Sequence, residues 1–483
     1  MPVLYRALRQ MLRAALGLYY VDIQSSGREN VPHAGPLIFA ANHPNSIMDT
    51  VVLGTQTERT VCYMARSGLF KNPLVAALFD QCGVIPVYRA QDDPTQTGRN
   101  EDSFRRAYDT LLGGGCIGIF PEGHNSEERA VNEIKTGTAR IALGAEALAD
   151  YGAGVRIIPV GLNFENRDRF LTSVLVRFGA PIEVSAWADQ HREDPRAAAR
   201  DLTDTLQEEI RQAATHIESD VVLSLTKDIW DIYGRRLIDD MIGQWEGAKS
   251  LGDRVMDELR NTPEARADLD DKFWMKQRIA DAITHFISSD PELVDDIRKR
   301  VRAYKEHLSQ VQLHHNFLER KPHTLSLRKE SLKFTLYALL FAPVAIWGLI
   351  HNLLPYQLTK AAALKAPDEA RRAFQGFVAG MALYPFFYAA QALGIWLLSQ
   401  HSLLLTFLYL LSLPPAGFFY LRYRRQLARY RDRIILRTLV LTDRKLIQRL
   451  TLERLEIMAA LATLRDRFVE ETGSHFEDHM ARK

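Results

Sequence analysis

Apolar and polar positions divide the 483-residue chain into stretches of different texture. From roughly residue 35 to residue 184, short apolar runs alternate with amphipathic segments, which predicts an α/β domain with a central sheet flanked by helices. The runs 37–41, 61–65, 84–88, 116–120, 157–162 and 174–178 are short and rich in branched or aromatic residues, and are the expected strands. The clearest helix is expected to start after Asn100 as its cap, with Phe104, Tyr108, Leu111 and Leu112 on one stripe, and to stop at Gly113, Gly114 and Gly115.

Ahead of this domain, Tyr5, Leu8, Leu12, Leu16 and Tyr19 recur at helical spacing, with Arg6, Arg9 and Arg13 on another face. Residues 1–20 therefore predict an amphipathic helix suited to a lipid headgroup layer, or one packed on its own domain. No long apolar core with a small-residue cleavage site marks a secretory signal. Residues 186–330 turn to densely charged, apolar-periodic sequence with few glycines and no catalytic pattern, expected as a soluble helical region.

Beyond Lys333 the texture changes again. Residues 336–354 are apolar, and 373–421 contain no Asp, Glu, Lys or Arg, long enough for two crossings of about 20 residues each. A turn is expected at 399–402. Basic residues flank the region at Arg320, Lys321, Arg328, Lys329 and Lys333, and again at Arg422, Arg424, Arg425, Arg429 and Arg431, which favours the cytoplasmic side for both flanks. The intervening loop, 356–372, is basic as well. If it too is cytoplasmic, the first apolar region cannot cross once, and Pro343 interrupts it; a re-entrant or membrane-inserted hairpin is expected over 331–355. A transmembrane two-helix hairpin over 373–421 and a basic cytoplasmic helical tail over 422–483 complete the organisation, with 21–185 as the α/β domain on the cytoplasmic face.

Composition changes this picture little. The formal net charge of +2 gives no general footprint for nucleic acid, so none is expected as a partner. Cys62, Cys82 and Cys116 are odd in number and lack metal-ligand spacing, which predicts reduced thiols in the core.

Two stretches at predicted strand ends carry candidate chemistry. In Ala41-Asn42-His43-Pro44-Asn45-Ser46-Ile47-Met48-Asp49, the imidazole titrates near neutrality, and a carboxylate on its other nitrogen would fix the tautomer and stabilise the charged form. On one continuous helix the two side chains would diverge by about 120°. They meet if His43 precedes the helix and Pro44 occupies its first turn. In Phe120-Pro121-Glu122-Gly123-His124-Asn125-Ser126, Gly123 permits close backbone approach and Glu122 can bind hydroxyls or order neighbouring donors. Alone, either stretch reads more simply as a structural turn. The run from Gly113 to Gly118 passes from helix into strand, the reverse of a phosphate-cradling loop, and is set aside as a nucleotide site.

Together with Gly83-Val84-Ile85-Pro86-Val87-Tyr88-Arg89 and Ile158-Pro159-Val160-Gly161, these stretches follow the order and approximate intervals of the four signature blocks of the glycerophospholipid acyltransferase family. The chain resembles that family over roughly 20–185, and its apolar C-terminal region is loosely similar to that of the family's larger membrane-bound members. The resemblance implies His43 as general base and Asp49 as its orienting partner. It implies Glu122 and Gly123 as acceptor-site residues, with Asn45 of the first block counted among the substrate-binding residues. Arg89 would hold the acceptor's phosphate, and Lys135 would add positive charge nearby. For Lys135 and Arg140 a solvated helix face is the simpler reading. The implied substrates are an acyl thioester, from acyl-CoA or an acyl carrier protein, and a phosphorylated glycerol; a membrane lipid is the implied partner, and neither cofactor nor metal is implied.

The sequence departs from the family's pattern twice. Five residues rather than four separate His43 from Asp49, a variant associated with some glycerol-3-phosphate acyltransferase-like members. Thr and Arg usually follow Glu-Gly in the third block, whereas this chain has His124 and Asn125. Phosphate recognition then falls on Arg89, Arg66, Lys71 or His124, or the acceptor differs. No Gly-x-Ser-x-Gly elbow is present, so a covalent acyl-enzyme has no candidate nucleophile. Two rivals remain open: a metal hydrolase using His43, Asp49, Glu122 and His124, which lacks a helix-borne His-x-x-x-His pair, and a non-catalytic lipid-binding scaffold.

Overall fold

A computed structural model describes residues 3–89, 94–124, 129–246, 269–310 and 327–473. The chain divides into two compact units, Met1–Glu218 with Ala362–Val378, and Ser219–Ala361 with Ala379–Lys483.

The first unit begins α1 (Val3–Tyr19), β1 (Asp22–Ser26), β2 (Leu37–Ala41), α2 (Ile47–Gln56), β3 (Val61–Arg66), α3 (Pro73–Gln81) and β4 (Ile85–Val87). It continues with α4 (Asn100–Leu112), β5 (Cys116–Ile119), α5 (Gly137–Leu148), β6 (Arg156–Phe164), β7 (Ser173–Phe178), β8 (Ile182–Glu183), α6 (Ala188–Glu193) and α7 (Pro195–Ala213). Among the described residues the strands form one sheet in the order β1-β7-β6-β2-β5-β3-β4, with β8 beside β6. Strands β6, β2, β5, β3 and β4 run parallel, and β7 and β8 lie antiparallel to β6.

This order follows from the residues. β2 and β5 are buried along their whole length, as expected of parallel strands covered on both faces. Ile38 and Ala40 face one way, with Ile117 and Ile157, against Leu111 of α4, Ala142 of α5 and Leu202 and Leu206 of α7. Phe39 faces the other way, its ring 5.7 Å from that of Phe178, on the side that also buries apolar residues of α1 and α2. β4 pairs with β3 alone, which suits Pro86, a residue without a ladder donor.

The six expected strands form, with end-points shifted by one or two residues; the run 84–88 shortens to Ile85–Val87. β1 and β8 are additions. Asn100 is not a cap: it is the first helical residue, and its side chain brackets Tyr88, accepting the Tyr88 N–H at 2.9 Å and donating to the Tyr88 carbonyl at 2.6 Å. Of the two placements expected for α1, the contacts present are with its own domain. Leu16 is buried, Tyr5 Oη accepts the Val61 N–H at 3.1 Å, and Arg9 and Arg13 donate to the carbonyls of Thr57, Glu58 and Thr55 at the end of α2. Those carbonyls are the unpaired acceptors of a helix C-terminus, where cations are favoured. The expected boundary at 185 also moves, because Ala198, Leu202, Leu206 and Ile210 of α7 cover the sheet and keep the chain in this unit to Glu218.

The second unit holds α8 (Asp220–Glu246), α9 (Leu269–Ser289), α10 (Pro291–Gln310), α13 (Leu403–Thr442) and α14 (Arg444–Thr472), with most of α11 (Leu327–Leu364) and α12 (Glu369–Leu398). Ile297, Val301, Tyr304 and Leu308 of α10 and Leu450, Ile457 and Leu461 of α14 bury stripes at helical spacing. Three segments, Ser331–Leu364, Arg371–Leu398 and Leu403–Asp432, are long and apolar enough to cross a membrane.

The hairpin expected over 331–355 does not form: α11 is one continuous helix with Pro343 and Pro355 inside it. A proline removes one amide and kinks a helix without reversing it, and a neighbour can satisfy the freed carbonyl. Pro355 frees the carbonyl of His351, and Gln391 Nε2 donates to that oxygen at 3.1 Å. Asn352 donates to the Leu413 carbonyl at 3.3 Å and accepts from Tyr388 Oη at 2.6 Å, which ties the three apolar helices together. Tyr337 stacks on Tyr423 and packs against Tyr430, so the start of α11 lies beside the late part of α13. The basic residues 328–333 and 422–431 therefore share one end.

Candidate active site

Because β2, β5 and β6 are adjacent and parallel, their carboxyl ends bring three loops together: 42–46, 120–124 and 165–172. Crevices at such strand ends are where open α/β sheets bind ligands. The first loop is pinned on both sides. Asn42 extends the β2–β6 ladder through its side chain, accepting the Leu162 N–H at 2.7 Å and donating to the Leu162 carbonyl at 3.3 Å. On the β5 side, Glu122 Oε1 accepts the His43 backbone N–H at 2.8 Å.

Helix α2 starts at Ile47, later than the sequence suggested, and Pro44 lies outside its first turn. Ser46 precedes it with φ 53°, a left-handed conformation uncommon for a residue with a side chain. This tight reversal carries Asp49, in the first turn, back toward His43. The expected pair forms: His43 Nδ1 lies 2.9 Å from Asp49 Oδ2. That same oxygen accepts the Asn45 N–H at 2.7 Å, and Asn45 Nδ2 donates to the Arg167 carbonyl at 2.9 Å. Asn45 is wholly buried and so orders the loop from within.

Electrostatics sharpens the geometry. Asp49 is fully buried, and burial raises its carboxyl above the usual range, opposed by His43, the Asn45 N–H and Arg167. A carboxylate can only accept, so it holds the proton on Nδ1 and leaves the Nε2 lone pair available. The His43 side chain keeps 18% of its surface exposed, and its ring stacks on Phe120 at 4.2 Å between centroids.

Glu122, in the second loop, is the residue expected in an acceptor site, and its carboxylate is engaged within the protein. Glu122 is fully buried, and its second oxygen accepts the backbone N–H and side-chain amide of Asn132 at 3.1 and 2.8 Å. Burial raises its carboxyl too, opposed by the His43 and Asn132 donors. Both of its oxygens accept from protein donors and so tie the His43 loop in place. Gly123 adopts φ +74°, and a Cβ there would come within 2.9 Å of Lys135 Nζ. Arg89 Nη1 donates to the Gly123 carbonyl at 2.6 Å. Arg89 and Lys135 are thus brought to one loop, with Lys135 exposed. His124 is exposed and its Nδ1 lies 3.0 Å from the Glu122 carbonyl oxygen. Asn125 and Ser126 fall outside the described residues. Arg140 lies over the Phe104 ring at 5.4 Å on an exposed helix face, as the simpler reading had it.

Asn132 and Arg167 are the residues that sequence reasoning missed. Arg167 is buried at 8% exposure, and burial lowers its pKa, with Arg129 adding to the effect and Asp49, Glu369 and Glu122 opposing it. The three cysteines are free and buried, and burial pushes each thiol upward, away from the nucleophilic thiolate. His43, Asp49, Glu122 and His124 do not converge as metal donors, and no group of three such side chains among the described residues could hold a metal ion.

Residues 22–163 match the family model described as Acyltransferase. The domain belongs to that family. Glycerol-3-phosphate O-acyltransferase 2 of Saccharomyces cerevisiae is 35% identical to this chain over 104 residues, which covers 21% of this chain and 14% of that protein. Glycerol-3-phosphate O-acyltransferase 1 of the same yeast is 23% identical over 319 residues, covering 48% and 42%. A chloroplastic 1-acyl-sn-glycerol-3-phosphate acyltransferase of Arabidopsis thaliana is 26% identical over 153 residues, covering 31% and 39%. The chain spans less than half the length of these relatives. The crystal structure of the 1-acyl-sn-glycerophosphate acyltransferase PlsC from Thermotoga maritima overlaps with a TM-score of 0.32 at 22% identity, covering 43% of this chain and 79% of that one.

Proposed function

We propose that this chain is a membrane-associated O-acyltransferase of phospholipid biosynthesis, moving a fatty acyl group from a thioester to a free hydroxyl of glycerol-3-phosphate or 1-acylglycerol-3-phosphate. The observation that carries this reading is the 2.9 Å contact between His43 Nδ1 and the buried Asp49 carboxylate, at converging strand ends of an acyltransferase domain. The relatives' printed names supply the two acceptors, and the three long apolar helices support the membrane.

The acceptor hydroxyl loses its proton to His43 Nε2 as its oxygen attacks the thioester carbonyl. The tetrahedral intermediate collapses, the carbon–sulfur bond breaks, and the thiolate takes the proton back from the imidazolium. The products are a glycerol ester and a free thiol. Holding two substrates against the imidazole supplies much of the acceleration. Arg89 and Lys135, gathered at the Gly123 loop, are the side chains we assign to the acceptor phosphate. The test is purified full-length protein offered labelled acyl-CoA or acyl carrier protein with glycerol-3-phosphate, lysophosphatidate and unphosphorylated lysolipids. Ester formation confined to the phosphorylated acceptors supports the reading, and transfer to none of them overturns it.

A further inference from the structure

Two fully buried carboxylates, Asp49 and Glu122, lie within one small site. Glu122 is satisfied by three protein donors. Asp49 differs: Oδ2 takes two hydrogen bonds, whereas Oδ1 meets no hydrogen-bond donor among the described residues. A buried charge that hydrogen bonds do not balance either takes up a proton or is held ionised by an opposite charge nearby.

The titratable and charged groups facing Asp49 come from three elements: His43 from the loop after β2, Arg167 from the loop after β6, and Tyr20 following α1. The Tyr20 phenol is itself buried and pushed far upward, so it stays neutral. That leaves Arg167 as the permanent cation. Among the described residues, Asp49, Glu369 and Glu122 favour its charged form, and Arg129 opposes it. The loop that carries it is fixed at two points. The Arg167 carbonyl accepts from Asn45 at 2.9 Å, and Asp168 pairs with Arg372 at 2.8 Å. Asn45 in turn donates its own N–H to Asp49, so the backbone that places Arg167 also places the catalytic carboxylate.

We propose that Arg167 is a positioning residue for the acyl transfer: its buried guanidinium is the counter-charge of Asp49 and acts on the reaction through the Asp49–His43 pair. This rests on the reading of His43 as the base. Without a cation there, the pair would bind its proton more tightly, and the imidazole would be lost as a base at a higher pH.

The experiment is the pH dependence of kcat/KM for the full chain in lipid, comparing the parent with Arg167→Gln, Arg167→Met and Arg167→Lys. The acidic limb should move up by about one pH unit in the neutral variants and stay in place in Arg167→Lys. If both neutral variants fail to fold while Arg167→Lys folds with the parental limb, the requirement for charge is equally supported. An unmoved limb in a folded neutral variant overturns the proposal. So does a selective rise in KM for the phosphorylated acceptor with the limb in place, because Arg167 would then be contacting the phosphate itself. His43→Ala, run alongside, separates the two levels. If it retains full activity, the base assignment has failed; if it is inactive while the Arg167 limb stays put, only the present inference has.

Discussion

Glu122 holds the backbone N–H of His43 at 2.8 Å and the two donors of Asn132 at 3.1 and 2.8 Å, so one side chain ties the His43 loop to the segment after β5. Glu122→Ala would strand these buried donors. We expect a loss of about 2 kcal/mol in stability, and a fall in kcat with KM for the phosphorylated acceptor within about twofold. Thermal denaturation and steady-state kinetics check this. A large KM effect with unchanged stability would return Glu122 to the substrate.

Asp49 is expected to show function and stability pulling apart. Its folded pKa is raised above the unfolded value, so its contribution to stability is full below the unfolded pKa and is lost as pH rises through the folded one. Relative to Asp49→Asn, which never ionises, the parent should therefore lose melting temperature as pH rises from 4 to 8, on top of a constant offset from the Arg167 charge left without its partner. The variant's activity should fall by roughly 10²–10⁴-fold, because the imidazole loses its orienting charge. A parent that gains melting temperature on the variant as pH rises would contradict this sign.

The cysteines should be dispensable for chemistry. Cys62, Cys82 and Cys116 are buried, with raised thiol pKa values. Alkylating reagents applied to the folded protein should leave activity intact, and rapid quenching should reveal no acyl-enzyme. Stoichiometric labelling with loss of activity would count against direct transfer.

Among the apolar helices, Gln391 compensates the carbonyl that Pro355 frees. Gln391→Leu should lower stability in detergent by about 1 kcal/mol, read from the denaturation midpoint, whereas Leu393→Ala on an exposed face should change it little. Equal effects would mean that the polar tie is not what joins these helices.

Much of the domain was legible because its central strands are buried on both faces, and runs such as Leu37 to Ala41 then stand out as continuous apolar sequence. β1, with the sequence Asp-Ile-Gln-Ser-Ser, and the two-residue β8 carry no such signal. The His43–Asp49 pair was visible as residue types, but the reversal at Ser46 that joins them was not, since nothing in a serine announces a positive φ. Glu122 was legible as a carboxylate able to order neighbouring donors, but not which donors, because sequence does not show which way a carboxylate turns. Arg167 was hidden for a similar reason: in Glu165-Asn166-Arg167-Asp168-Arg169 it sits among charges that read as a solvated loop, and only the fold turns this one inward. At α11, the proline was weighed by what it breaks, without the partner on α12 that repairs it.

The central claim is that one imidazole removes the acceptor's proton, and His43→Ala tests it most directly. Labelled acyl transfer should be measured for parent and variant side by side, at equal folded fraction judged by thermal melts. The account predicts a drop of roughly 10²-fold or more in kcat/KM with the melting temperature nearly unchanged. A folded His43→Ala protein that transfers acyl groups as fast as the parent would contradict it.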